Sequence, residues 1–124
     1  MNLRDYFEST DGLGVLGTAD AEGRVDMALY ARPHVADDES VALIMSDRTS
    51  HNNIVVNPHA AYLFVESGKG YKGKRLYLTR THEETDPARI DAVRRPGSRS
   101  HDRGDAPRFL VHFRVEEVRP LIGG

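Results

Sequence analysis

The connections between the apolar stretches of this chain constrain its fold more than any single motif does. Leu13 to Ala19 and Val25 to Leu29 both read as strands, separated only by Asp20-Ala21-Glu22-Gly23 and Arg24. Asp at the first turn position and Gly at the fourth is a type I turn signature. Val25, Met27 and Leu29 alternate with Asp26, Ala28 and Tyr30, the period-2 pattern of a strand. Two strands joined so tightly must run antiparallel, because a parallel pair needs a crossover of a dozen residues or more.

The rest of the chain repeats that economy. Pro33 ends the second strand, and Asp37-Asp38-Glu39 is expected as a solvated turn. Val41 to Met45 is nearly all apolar, as a strand buried on both faces would be. His59 to Glu66 places Tyr62 and Phe64 on one face and Leu63 and Val65 on the other. Arg75 to Thr81 follows a glycine-lysine loop, and Phe109 to Glu116 forms a long last strand. Short helices are expected over Asn2 to Glu8, within Met45 to Pro58, and over Ala88 to Arg95, where Asp86-Pro87 supplies a cap and a first-turn proline. Pro96 to Pro107, rich in Gly, Ser and Arg, reads as a mobile loop. The sum is about six strands with short helices, a mainly β chain. Without regular strand–helix alternation it points to a small barrel, not a doubly wound sheet.

Composition narrows the chemistry. One domain is expected from 124 residues. No cysteine is present, which removes disulfides, thiolate metal sites and cysteine nucleophiles. A net charge of −2 and a pI near 6.3 argue against nucleic acid as the main partner. Met1 to Thr10 carries no signal-peptide pattern and no stretch is long enough to span a membrane, so a cytoplasmic location is the default expectation.

The stretch Met45 to Pro58, MSDRTSHNNIVVNP, carries the strongest functional signal. A strand emptying into a polar turn that opens a helix suits an anion, since the first helical N–H groups lack internal partners. Ser46, Thr49 and Ser50 offer hydroxyls, and Arg48 offers a charged planar fork. Asp47 would repel a phosphate if it turned inward. Thr49 or Ser50 also reads as a plain N-cap, and His51 reads equally as a phosphate donor or a solvated first-turn residue.

Other patterns carry less. Gly68-Lys69-Gly70-Tyr71-Lys72-Gly73 matches a dinucleotide-binding glycine pattern, but that pattern requires a helix next, and Arg75-Leu76-Tyr77-Leu78 is a strand. The six histidines show no HExxH and no i, i+4 pair, so no metal site is expected; His112 reads as a surface or interface residue. Arg103-Gly104-Asp105 is a chance tripeptide, and nothing singles out a serine nucleophile.

The order of the features resembles the pyridoxamine 5′-phosphate oxidase-related FMN-binding split barrels. The likeness rests on the Gly17-Thr18-Ala19-Asp20…Gly23 hairpin, the alternating strand to Ala31, the Ser/Thr-rich turn, and the Asn53-Ile54 and Asn57-Pro58 pairs. It runs in register from Leu3 to Glu66 and by pattern beyond. It implies a six-stranded antiparallel split barrel, a homodimer, and FMN in a cleft between the subunits. By position, Asp26, Met27, Ala28 and Leu29 would lie along the flavin ring and Met45 and Ser46 would flank the ring and ribityl chain. Arg48, Thr49, Ser50 and His51 would hold the phosphate. Many members carry a lysine where Ser50 stands, which leaves the phosphate charge to Arg48. The tryptophan and Arg-x-His pattern of the true oxidase is absent from Phe113 to Leu121, so pyridoxamine phosphate is not the expected substrate. The implied function is a small FMN-dependent oxidoreductase or electron carrier of unidentified substrate or redox partner. The alternatives are a binding or sensor barrel using haem, a deazaflavin or no cofactor, and an oligonucleotide-binding barrel using the lysine loop and Tyr71.

Overall fold

The computed structural model describes residues 2–94 and 108–123. Three helices, α1 (Leu3–Ser9), α2 (Thr49–Val56) and α3 (Pro87–Val93), accompany seven strands: β1 (Gly12–Ala19), β2 (Val25–Leu29), β3 (His34–Asp37), β4 (Ser40–Ser46), β5 (His59–Glu66), β6 (Gly73–Glu84) and β7 (Arg108–Pro120). The strands form one antiparallel sheet in the order β2-β1-β5-β6-β7-β4-β3. Its two end strands do not pair, so the expected barrel is an open, split one, and it has seven strands where six were expected. The added strand is β3, a hairpin partner of β4. Only Val35 of its four residues is buried, so no apolar alternation marked it in the sequence. It is held from behind by α1, whose Arg4 Nη2 donates to the Val35 carbonyl at 3.2 Å.

The turns form for the reasons the sequence suggested. Asp20 Oδ1 accepts from the backbone N–H of Glu22 and of Arg24, both at 2.9 Å, and Gly23 takes a positive φ of 80°. Asp86 caps α3 by accepting from Ala88 N at 3.0 Å, with Pro87 in the first turn. Gly68 to Lys72 lie in the turn of the β5–β6 hairpin, with Gly68 and Gly70 at positive φ, and Gly73 already opens the following strand. The expected loop at Pro96 to Pro107, the Arg103-Gly104-Asp105 tripeptide and Arg95 lie outside the described residues.

The core gathers where α1 lies on the sheet. Phe7 is fully buried and meets Tyr6, Tyr62 and Phe64 edge-on, at ring distances of 5.1, 6.3 and 5.2 Å. Gly14 is glycine because a Cβ there would collide with the Tyr62 hydroxyl and come within 2.5 Å of the Tyr30 carbonyl. That clearance lets Tyr62 Oη donate to the carbonyls of Tyr30 and Ala31, at 3.2 and 3.0 Å, tying down the end of β2. Gly17 meets only an ordinary contact at 3.7 Å, so no close approach requires it.

α2 touches β1, β2 and β4, and so bridges the two sides of the split. The asparagines of the resemblance do the fastening. Asn53 Nδ2 donates to Thr18 Oγ1 at 3.1 Å, a buried pair, and Asn57 Oδ1 accepts from His59 N at 3.2 Å as the chain turns into β5. Ile54 between them is buried in the core.

Candidate functional site

An open cleft of about 700 Å³ lies across the split. One wall is β2, contributing Asp26, Met27, Ala28 and Leu29, with Gly12 to Gly14 of β1 beside it. The facing wall is Ala42, Leu43 and Ile44 of β4. Ser46, Arg48, Thr49 and Ser50 line the cleft where β4 runs into α2, and His34, Arg32, Arg94 and Arg108 are also part of its lining. Eight of the ten residues expected at a cofactor site therefore line one cleft, although they come from separate elements.

The turn into α2 is left without a side-chain cap. Arg48 itself holds the N-cap position with extended backbone and makes no capping hydrogen bond, so neither Thr49 nor Ser50 is the cap. No acidic residue occupies the first turn of the helix. This is the electrostatic arrangement that favours an anion over a helix N-terminus. Asp47, the residue that would oppose an anion, does not line the cleft; its Oδ1 lies 4.0 Å from His51 Nδ1.

Two expected site residues stand elsewhere. The Met45 side chain is fully buried in the main core and does not line the cleft. His51 is neither solvated nor turned to the cleft. Its ring stacks on Phe109 at 3.8 Å and 8°, and its Nε2 lies 3.1 Å from Glu83 Oε1. Burial alone would raise the Glu83 carboxyl, but hydrogen bonds from Arg80 and His51 outweigh it and hold the group below its ordinary range. Neither residue is among those that line the cleft.

Four polar lining residues lay outside the expected set: Arg32, His34, Arg94 and Arg108. Arg108 opens β7 as the register partner of Ser46, the last residue of β4, and lines the cleft beside it. Nothing in the sequence connects a residue after the Pro96–Pro107 segment with the turn before α2. Only the β4–β7 ladder does. The glycine-loop lysines, by contrast, are not among the residues lining the cleft, and Lys74 Nζ sits over the Tyr6 ring at 4.7 Å.

β2 carries a second feature. Val25, Met27 and Leu29 project from the sheet edge at 81, 75 and 69% exposure, a continuous apolar row with polar and small residues between. Because β2 pairs only with β1, the main-chain groups on its outer side have no strand partner among the described residues.

Comparison with known proteins places this architecture. No protein-family model matches the chain, and no curated protein matches it. Solved structures do. An FMN-binding protein from Syntrophomonas wolfei subsp. wolfei is 17% identical with a TM-score of 0.75, over 96% of this chain and 83% of that one. An F420 reductase, also 17% identical, has a TM-score of 0.71 over 96% of this chain and 98% of that one. HutZ, a haem storage protein from Vibrio cholerae, is 20% identical with a TM-score of 0.65, over 96% of this chain and 94% of that one. The chain has the pyridoxamine 5′-phosphate oxidase-like split-barrel fold. At such identities the likeness is one of fold, and the neighbours differ in what their names say they bind. No helix among the described residues is long and apolar enough to cross a membrane.

Proposed function

We propose that the chain is a dimeric FMN-binding flavoprotein acting in oxidation–reduction. The observation that carries this reading is the polarity of the cleft. Small and apolar side chains of β2 and β4 form its walls, and it ends at the uncapped start of α2 among Ser46, Arg48, Thr49, Ser50 and Arg108. A flavin mononucleotide has the matching shape, a flat apolar ring at one end and a dianionic phosphate at the other. Arg48 and Arg108 neutralise the phosphate, replacing the lysine that Ser50 displaces. The hydroxyls of Thr49 and Ser50 and the first backbone N–H groups of α2, that of His51 included, donate to it. The free edge of β2 meets the polar rim of the ring, and Asp26 sets the charge beside it. The bound flavin supplies the electron or hydride chemistry, and the protein orients it and shields one face.

The apolar row on β2 supports the dimer. A second copy seated on Val25, Met27 and Leu29 removes that surface from water and closes the open side of the cleft. Soluble monomers rarely leave such a row uncovered.

A haem-binding reading rests on one observation, the presence of His34 on the cleft rim, since haem iron takes an imidazole ligand. A deazaflavin would use the same ring wall. Separate incubations of the purified protein with FMN, F420 and haemin, followed by gel filtration and visible spectra, distinguish the three. Retention of the flavin bands is the expected outcome. A protein that returns colourless from FMN but red from haemin, with the colour lost in His34→Ala, reverses the order.

A further inference from the structure

We propose that His82, Glu84 and His112 form a binding site for a divalent transition-metal ion of the zinc class. One ligand atom from each lies within 4.8 Å of the others. The site is independent of the flavin reading and uses none of its residues.

The site is built by strand register. His82 and His112 are direct partners on β6 and β7, and their rings stack at 4.2 Å and 6°. Glu84 stands two residues beyond His82 and therefore on the same face of β6. Its Oε2 lies 2.6 Å from His112 Nε2. Zinc bonds of about 2.0–2.2 Å hold neighbouring tetrahedral ligand atoms roughly 3.3–3.5 Å apart. Reaching that spacing takes a small opening of the His112–Glu84 contact and a rotation of the exposed His82 ring.

The surroundings fix the ligands as outer partners of a metal site do. Thr81 Oγ1 donates to the His112 carbonyl at 3.3 Å and lies 2.9 Å from His82 Nδ1. A hydroxyl whose proton is so used accepts from Nδ1–H, which leaves the lone pair of His82 on Nε2. Arg89 spans the Glu84 carboxylate, Nε to Oε1 at 3.1 Å and Nη2 to Oε2 at 3.3 Å. When Nε2 of neutral His112 coordinates, its proton moves to Nδ1; from the imidazolium, one proton leaves to solvent. Two imidazole nitrogens and one carboxylate oxygen give three protein ligands and an open fourth position, a borderline donor set that suits zinc and its neighbours better than magnesium or calcium.

The test uses the untagged full chain, stripped with chelator and gel-filtered. Calorimetric titration with Zn²⁺ at pH 7.5 is expected to show one saturable ion per chain, and Co²⁺ at the same site to give visible d–d absorption. His82→Ala, an exposed substitution that spares the core, is expected to weaken Zn²⁺ binding by more than the roughly 10–100-fold attached to an outer hydrogen-bond partner. Glu84→Gln is expected to do the same, whereas His59→Ala leaves binding unchanged. A wild-type chain without saturable uptake, or a His82→Ala variant that binds like wild type, overturns the proposal.

Discussion

Two strands face each other across the cleft, and they are built on opposite plans. β4 is buried along most of its length: Val41, Ala42, Leu43 and Met45 are covered by the chain itself, between β7, β3 and the core. β2 alternates half-buried and exposed, and its exposed positions are the apolar ones, Val25, Met27 and Leu29. The two methionines make the contrast concrete, since Met45 is 0% exposed and Met27 is 75% exposed. A strand that keeps a period-2 apolar pattern with the apolar face outward is patterned for a surface its own fold does not provide. β4 is satisfied within the chain, whereas β2 is the strand to which the proposed dimer assigns a docking role.

That contrast can be broken by substitution. Met45→Ala is expected to lower unfolding free energy by about 2–5 kcal/mol in denaturant melts, the usual cost of truncating a buried methionine. A loss below about 1 kcal/mol would show that β4 is not the packed strand described. Met27→Lys is expected to leave the circular dichroism of the fold intact while shifting sedimentation towards the one-chain mass. A disruption of about 2 kcal/mol or more would mark Met27 as one of the few residues that carry the interface. Unchanged mass for both wild type and variant, at one chain, would remove the second copy from the account. Asn53→Ala breaks the buried bond to Thr18 that ties α2 to β1, and is expected to cost about 1–3 kcal/mol. Under the proposed function its effect should be matched by loss of FMN retention, because the proposed phosphate site is built at the start of α2; full retention would separate the helix from the site.

The smallest expected effect concerns acid stability. The Glu84 carboxyl sits at about 2 in the fold against 4.5 ordinarily. A depressed carboxyl contributes stability that is present above pH 4.5 and is lost as the pH falls from there towards 2. Glu84→Gln is therefore expected to flatten the melting temperature against pH across that window and to leave the slope above it unchanged. An identical acid limb in both proteins would contradict the Arg89 and His112 contacts.

The strands were legible where one face was buried and the other wet, as in β5, whose Tyr62 and Phe64 point to the core. β3 escaped notice because a strand that buries one residue out of four leaves no period to read. β6 and β7 ran longer than expected because their outer ends are polar, held by pairing to one another more than by burial. For the cleft, the linear stretch around Arg48 was readable and the register was not. Arg108 joins it only through the β4–β7 ladder, and Met45 leaves it because its side chain is buried in the main core. His51 misled for a similar reason. The Glu83 and Phe109 that hold it lie on β6 and β7, and no local pattern announces them. The His82–Glu84–His112 group was invisible for the same cause, although His-x-Glu on a strand, with a second histidine on another strand, is a pattern worth testing whenever two strands pair.

The central claim is that the cleft grips a phosphate with the residues at the start of α2. The most direct measurement is a paired titration of the apo-protein with FMN and with riboflavin, followed by quenching of flavin fluorescence, in wild type and in Arg48→Ala. Each charge-assisted phosphate contact is worth about 1.5–3 kcal/mol, so FMN is expected to bind at least tenfold more tightly than riboflavin. Arg48→Ala should erase most of that difference while leaving riboflavin binding unaltered. Equal affinities for FMN and riboflavin in the wild type, or an Arg48→Ala variant that still discriminates fully between them, would contradict the account.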